Sequence, residues 1–274
     1  MQLVDPISPP PNPTLLMTEI PRAIKETLSL FSFSWKNTLR KAPKGSGQPV
    51  LVIPGFGGAD GCMHTLRKYL NKQGYRAYPW LLGRNLPYAR LTNIDDVLAY
   101  CEKREQQILV RIKEIAIKTG QKVSLVGWSM GGVFANTLAQ THPEFIEQVI
   151  TLGAPVGNPK STSTWDLLKY LNLSTVPEEE QNLDGWLFRK NSLQSRQIRS
   201  SVIYSDFDGA VSADAAIIDD DLVENIKVKS SHLGFSHNPI VFWVIADRLA
   251  QKTESWQCFD IAEQPVKIQQ CFNY

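Results

Sequence analysis

The sequence predicts an α/β fold with a mainly parallel sheet of about six strands, helices on both faces and an inserted helical cap. Six apolar runs rich in β-branched or aromatic residues alternate with helix-like segments: 50–53, 78–82, 123–126, 149–152, 202–204 and 226–228. Continuous apolar strands that alternate with helices are typical of a parallel sheet buried on both faces. One connection, from about 152 to 199, is far longer than a crossover needs and predicts the cap.

The composition is that of a globular protein and does not suggest nucleic-acid binding. The 274 residues are 43% hydrophobic, enough for a large core, and the net charge is only +2. No Lys/Arg cluster is interleaved with aromatic residues, so no nucleic-acid partner is expected.

The sequence shows no pattern of a membrane span, a leader segment or a cysteine-based metal site. No run reaches the roughly 18 apolar residues of a membrane span, and the start lacks a basic segment followed by an apolar one, so a cytoplasmic protein is expected. The four cysteines show no CxxC spacing, and neither a zinc site nor disulfides are indicated. Cys258 and Cys271 flank a short tail segment and could pair in an exported protein.

The first 47 residues form a predicted N-terminal arm with helices, and residues 48–274 the main domain. Five prolines in 6–13 predict an extended arm. Helices are predicted from Pro21 to about Leu30 and over 35–39.

The clearest helix is predicted over 93–118, with Ile108, Ile112 and Ile115 on one face and Gly120 after its end. The charges at 102–105 in this helix are interpreted as a solvated face.

The cap is predicted at about 156–197, with helices over 164–171 and 178–188. Apolar residues such as Trp165, Leu168 and Trp186 fit two interpretations. They either seat the cap on the sheet or line an apolar acyl pocket.

The most informative motif is Gly127-Trp128-Ser129-Met130-Gly131, between a β-type run and an amphipathic helix. The two glycines allow the tight turn that presents a serine hydroxyl at the end of a strand. A serine is nucleophilic only when a base lies close, so the motif predicts Ser129 as a nucleophile that needs a histidine partner.

Of four histidines, His232 is the predicted base. It directly follows the run at 226–228, and in parallel sheets the chemistry lies beyond the carboxyl ends of the strands. His237, before Asn238-Pro239, is the reserve, with helix capping or loop orientation as its alternative role.

The carboxylate that orients the base is predicted in the loop after the 202–204 run. Asp208 is preferred because Asp-Gly marks the end of a strand in a turn. Asp206 has the same strand phase and stays a competitor.

Two backbone N–H groups are predicted to stabilise the developing oxyanion. One is that of Met130, after the nucleophile. The other is assigned to Phe56, in the glycine-rich turn Pro54-Gly55-Phe56-Gly57-Gly58 after the first core strand.

Taken together, these motifs resemble the α/β-hydrolase superfamily, and within it bacterial lipase and esterase-like proteins. The resemblance covers about 48–251 and follows the family order of motifs. The matching segments are 54–58, Leu82-Gly83-Arg84-Asn85, 127–132, Leu152-Gly153-Ala154-Pro155, Asp208-Gly209, Ser231-His232 and 247–250.

The resemblance implies Ser129, Asp208 and His232 as nucleophile, acid and base, in the chain order Ser, Asp, His. Two departures stand out. Pro54 occupies the place where many relatives have His, and no first pair of strands precedes residue 48, so a six-stranded sheet with packed N-terminal helices is expected.

The expected function is hydrolysis of carboxylic esters with an apolar acyl group through an acyl-enzyme, without metal or organic cofactor. The same triad would serve an acyltransferase, thioesterase or amidase, and a non-catalytic binding protein on this fold is a further alternative. The expected partner is a small-molecule or lipid ester. Transient contact with a membrane surface stays open, and the sequence does not determine the oligomeric state.

Overall fold

In the residues that the structure describes, six strands form one sheet in which all neighbours are parallel. The structure, a computed structural model, describes residues 11–157, 162, 172–176 and 196–273. The strands are β1 (Pro49–Ile53), β2 (Arg76–Pro79), β3 (Val123–Trp128), β4 (Ile146–Leu152), β5 (Ser200–Tyr204) and β6 (Val223–Lys227). Their order is β2-β1-β3-β4-β5-β6. The predicted fold class is confirmed.

Helices cover both faces of this sheet. They are α1 (Pro13–Met17), α2 (Glu19–Phe31), α3 (Phe33–Leu39), α4 (His64–Lys72), α5 (Ile94–Thr119), α6 (Met130–Thr141), α7 (Ala213–Ala216), α8 (Pro239–Ala250) and α9 (Val266–Gln269). The predicted limits of α5 agree with the structure. The Asn93 side chain accepts from the Asp96 N–H at its start, and Gly120 ends it with φ 67°.

The core has two main layers, one on each face of the sheet. Val50 and Val52 of β1 point into a cluster with α4 and α8, whereas Leu51 and Ile53 point into a cluster with α5 and α6. Successive side chains of a strand point to opposite faces, so a run of consecutive apolar residues fits a sheet buried on both.

Strand β2 lies earlier than the predicted 78–82. It ends at Pro79 because the N–H groups of Trp80 and Leu81 donate to the Asp60 carboxylate, at 3.0 and 3.2 Å, instead of to a strand. Leu81 also has φ 61°, which turns the chain out of the sheet.

Strand β6 also starts earlier than the predicted 226–228. It begins at Val223 and contains Glu224 and Asn225. As an edge strand it pairs with β5 alone, so polar residues interrupt its apolar pattern.

The N-terminal region contains the predicted helices, with shifted ends. Helix α2 begins at Glu19, two residues before Pro21, and the proline segment is already helical at Pro13. The expected six-stranded sheet is confirmed in the described residues. The N-terminal helices were expected to pack on the sheet, but α2 and α3 instead contact α8, and α2 also contacts the turn at 233–236.

Two described pieces of the long connection between β4 and β5 contact the main body. Leu91 pairs with 173–175 through N–H groups that donate at 3.0 and 2.9 Å, and Thr162 pairs with Val211. The predicted cap helices over 164–171 and 178–188 lie outside the described residues.

The interpretation of 102–105 as a solvated face is wrong for Arg104 and Glu105, which are buried. The Arg104 guanidinium donates to the carbonyls of Arg84 and Leu86 at 2.9 and 3.0 Å. The segment after β2 folds over α5, and its carbonyls need donors there, so a charged side chain is drawn inside.

None of the helices in the described ranges has the length and apolar character needed to cross a bilayer. All four cysteines are free thiols.

We predict that Arg104→Met lowers the free energy of unfolding by about 2–4 kcal/mol, because the carbonyls of 84 and 86 lose the donor that the buried guanidinium supplies. Urea denaturation measures this change. Lys118→Met, on an exposed position of the same helix, is the matched control and should change stability little. Equal effects of the two substitutions would contradict the anchoring role of Arg104.

Candidate active site

Ser129 lies in a strained turn between β3 and α6. Its φ and ψ are 52° and −125°, outside the regions that a side-chain-bearing residue prefers. Its N–H donates to the Leu152 carbonyl of β4 at 2.9 Å, which ties the turn to the neighbouring strand. The serine therefore stands at the carboxyl edge of the sheet, half-buried.

Glycines make this turn feasible through close backbone packing. A Cβ on Gly127 would lie 2.5 Å from the Cα of Gly132, and one on Gly131 would lie 2.5 Å from the carbonyl oxygen of Ile53 in β1. Real Cβ atoms do not approach so closely, so β1, β3 and α6 pack in this way only with glycine at both positions.

The structure brings Asp208 and His232 together. The Asp208 Oδ2 lies 2.8 Å from the His232 Nδ1, and both residues are buried. The second oxygen of Asp208 accepts from the N–H groups of Ala210 and Val211, both at 2.8 Å. With both oxygens engaged, the carboxylate is held in place, and an Nδ1–H donated to it leaves Nε2 as an acceptor.

The surroundings of His232 favour its protonated form. Burial alone would lower the pKa of His232, but the charge and hydrogen bond of Asp208, with a smaller contribution from Glu19, outweigh burial. The pKa of His232 is therefore raised above its ordinary value.

The competing residues lie in other surroundings. Asp206 is exposed and forms an ion pair with Lys227 of β6. His237 Nδ1 lies 2.8 Å from the Ser236 hydroxyl, and burial lowers the pKa of His237. Of the two carboxylates and two histidines considered, the hydrogen-bonded acid–base pair is Asp208 with His232.

Trp128, the residue directly before Ser129, contacts His232 of this pair. The Trp128 indole N–H donates to the His232 carbonyl at 3.0 Å, and the Trp128 and His232 rings are 5.6 Å apart between centroids. Within the described residues, no hydrogen bond joins the Ser129 hydroxyl to the His232 ring. Such hydrogen bonds are often loose without substrate and tighten in the complex.

The loop that contains Phe56 lies next to Ser129. A Cβ on Gly55 would be 3.0 Å from the Ser129 Cβ, so the loop after β1 faces the serine directly. Among the described residues, neither the Phe56 nor the Met130 N–H donates to a protein acceptor. Unpaired donors beside a serine are what a developing oxyanion requires.

Asn85, which sequence analysis placed only in a family motif, holds this loop. Its side-chain amide donates to the Pro54 carbonyl at 3.0 Å, and the Gly57 N–H donates to its backbone carbonyl at 2.8 Å. The Tyr100 hydroxyl of α5 completes the amide's contacts at 2.6 Å. Asn85 is fully buried, so its polar atoms serve to order the loop.

Glu19 of α2 links the acid loop to the base loop, and the sequence gives no sign of this. Its Oε1 accepts from the N–H groups of Gly209 and His232 at 2.8 and 3.0 Å, and its Oε2 accepts from Leu233 at 3.0 Å. The buried carboxylate also pairs with Arg22 at 2.9 Å. Because the partners lie some 200 residues away, no local pattern could reveal them.

Arg22 and Glu26 extend this contact along α2. Arg22 donates to the Phe207 carbonyl in the acid loop, and Glu26 accepts from the Ser231 N–H at 2.8 Å. Burial raises the pKa of Glu26, although the Ser231 hydrogen bonds act in the opposite direction. The polar face of α2 thus binds the two loops that carry Asp208 and His232.

In the part of the chain that the structure describes, no group of three or more His, Cys, Asp or Glu side chains could hold a metal ion.

We predict that Glu19→Gln lowers the pKa of His232 and destabilises the protein by about 1–3 kcal/mol, because the amide removes a negative charge and turns an NH₂ toward a backbone donor. Titration of the His232 ring by NMR and urea unfolding measure the two effects. Glu102→Gln, at an exposed position of α5, is the control. An unchanged His232 titration in Glu19→Gln would refute the electrostatic link.

Comparison with known families supports the fold. A family model described as the alpha/beta hydrolase fold matches residues 106–219, which include β3, the Ser129 turn, β4 and β5. A comparison with curated proteins finds no significant match.

Solved structures with similar folds include three at 14–18% sequence identity. A lipase from Bacillus licheniformis, in its propeptide form, has a TM-score of 0.54 at 17% identity and covers 80% of this chain and 54% of its own. Lipase B of Aspergillus fumigatus has a TM-score of 0.53 at 18% identity, with 79% and 58% covered. A serine hydrolase of Cycloclasticus zankles has a TM-score of 0.54 at 14% identity, with 74% and 90% covered.

The chain thus spans little more than half the length of the two lipases. The parallel sheet, the family match and these neighbours agree with the resemblance seen in the motifs. They confirm the fold that the resemblance implied: this protein has the α/β-hydrolase fold.

Proposed function

We propose that this protein is a serine hydrolase that cleaves carboxylic esters with an apolar acyl group. The observation that carries the proposal is the buried Asp208–His232 hydrogen bond of 2.8 Å beside the strained turn of Ser129. A strained backbone conformation persists only where its surroundings hold it, and such turns are concentrated at functional sites.

In the proposed reaction, the Ser129 Oγ attacks the ester carbonyl carbon and its proton passes to the His232 Nε2. The bond to the leaving alkoxide then breaks, and His232 returns the proton to the departing alcohol. Water attacks the acyl-enzyme, with His232 accepting its proton, and the free acid leaves while the proton returns to Ser129. The Asp208 carboxylate stabilises the imidazolium.

The proposed oxyanion hole consists of the Phe56 and Met130 N–H groups. The proposal is supported by the closeness of Gly55 to Ser129 and by the lack of protein acceptors for both donors in the described ranges. Backbone donors that are already oriented stabilise charge without reorganisation in the reaction. Asn85 and Arg104 act on this loop as positioning residues.

Two observations support an ester with an apolar acyl group as the substrate. Two of the compared structures are named lipases and a third a serine hydrolase. The sequence of the predicted cap is rich in Trp and Leu, which suits an apolar acyl chain better than a sugar or peptide.

We expect p-nitrophenyl esters to be hydrolysed, with kcat at least about 10³-fold lower in Ser129→Ala, because no other nucleophile replaces the serine. A series of increasing acyl length, followed by p-nitrophenol release, tests activity and chain preference together. Ser46→Ala, an exposed serine before β1, is the matched control. A folded wild type that hydrolyses none of these esters would contradict the proposal.

The acid assignment gives a second expectation. Asp208→Asn should lower kcat by about 10³–10⁴-fold, because the base loses the charge and tautomer control of its partner. Asp206→Asn should stay close to wild type, since its surface ion pair contributes little. Steady-state kinetics of both variants decide between them, and the reverse order of effects would move the acid to Asp206.

The pH profile of kcat/KM follows from the raised pKa of His232. A general base acts in its neutral form, so kcat/KM should rise with pH through a midpoint above about 6.5, the ordinary histidine value. In Asp208→Asn the midpoint should fall, because burial remains while the negative charge is lost. A midpoint that is equal in both proteins would show that another group limits the rate.

A further inference from the structure

Helix α2 differs from an ordinary surface helix in the face that it directs toward the protein. Its polar residues Glu19, Arg22 and Glu26 face the protein, where they bind the loops of Asp208 and His232. Most of its apolar residues face outward, and Leu30 near its end is the one that is buried in the core. Surface helices ordinarily bury their apolar stripe against the core.

The outward residues form a continuous strip, here named the apolar ridge. They recur at the three- and four-residue spacing of one helix face and continue into the start of α3. The ridge consists of Met17, Ile20, Ile24, Leu28, Phe31 and Phe33, whose exposed fractions run from 53% to 82%. Contiguous exposed apolar surface of this kind marks an interaction site.

A groove with basic walls adjoins the ridge. It encloses about 710 Å³ between α2, α3, α4 and α8, and Phe31 belongs to both the ridge and the groove. Apolar side chains, among them Leu30 and Leu39, form part of its lining. Five exposed cations surround it, and no acidic residue does: Lys36, Arg40, Lys44, Lys68 and Lys72.

The charged side chains around the ridge are mostly basic. From Thr27 to Ala59 the sequence contains four basic residues and no acidic one, although the whole chain has a net charge of only +2. The two carboxylates of α2, Glu19 and Glu26, are engaged with backbone N–H groups of the body. The outward surface of this region is therefore apolar and cationic.

We propose that the apolar ridge and the basic groove bind the surface of a bilayer that contains anionic lipids. Helices with an exposed apolar face insert it at the headgroup boundary, and neighbouring lysine and arginine side chains are attracted to anionic headgroups. The cations beside the ridge match that surface in charge.

The bound orientation would place the candidate active site next to the lipid. The apolar ridge and the contacts to Gly209 and His232 lie on opposite faces of one helix, so about 10–12 Å, one helix diameter, separates the lipid surface from the base loop. Lipid binding itself does not depend on the proposed hydrolysis.

Vesicle flotation with Ser129→Ala protein tests the proposal separately from catalysis. Vesicles of phosphatidylcholine alone are compared with vesicles of equal parts phosphatidylcholine and phosphatidylglycerol. We expect binding to the anionic vesicles, about tenfold weaker in Ile24→Ser/Leu28→Ser, and weakened by salt. Lys36→Gln/Arg40→Gln/Lys44→Gln should lose the preference for anionic lipid.

The matched control is Val110→Ser/Ile117→Ser, which changes two exposed apolar residues of α5 away from the ridge. Thermal unfolding of all variants verifies that they are folded. Absence of flotation in the parent, or equal flotation of the ridge variant and the control, would overturn the proposal. A parent that is dimeric by sedimentation, becomes monomeric in the ridge variant and binds no vesicles would show that a second copy covers this face.

Discussion

The backbone packing around Ser129 is the constraint on which the rest of the site depends. Gly127 and Gly131 let β3, β1 and α6 meet at a distance that a Cβ would forbid. The resulting conformation of Ser129 costs on the order of 1–3 kcal/mol. The rigid sheet on both sides offsets that cost, because β3 is paired with β1 and β4 along its length.

The sheet topology explains why the other groups converge there. The chain crosses from β1 to β2 on one side and continues from β3 toward β6 on the other, so the order reverses between β1 and β3. Loops after these two strands diverge and leave a crevice at their carboxyl ends. The glycine-rich loop and the Ser129 turn lie at that reversal, and the loops after β5 and β6 bring Asp208 and His232 from one side.

Buried polar groups hold these loops in place. Glu19 joins the acid and base loops, Asn85 orders the loop before Phe56, and Arg104 anchors the segment around Asn85. A buried charge without partners is costly, whereas one with several hydrogen bonds specifies a single arrangement. Helix α2 uses its polar face in this way, which leaves its apolar face to the exterior.

The parallel fold could be predicted from the sequence because the local patterns of its strands agree with the long-range contacts of the folded sheet. Continuous apolar runs predict β1, β3 and β4 as strands buried on both faces of the sheet, and the glycine spacing predicts the Ser129 turn. Local patterns mislead where a distant group overrides them: Asp60 ends β2 early, and backbone carbonyls draw Arg104 inside. Glu19 was invisible because its partners at 209 and 232 meet it only in the folded chain.

An activated Ser129 should react with a fluorophosphonate, and peptide mass mapping of the product is the most direct measurement of that reactivity. We expect one adduct, on Ser129, absent in Ser129→Ala and formed more slowly in Asp208→Asn. Folded protein that gains no adduct, or Ser129→Ala that gains the same adduct mass as wild type, would contradict the activation of Ser129.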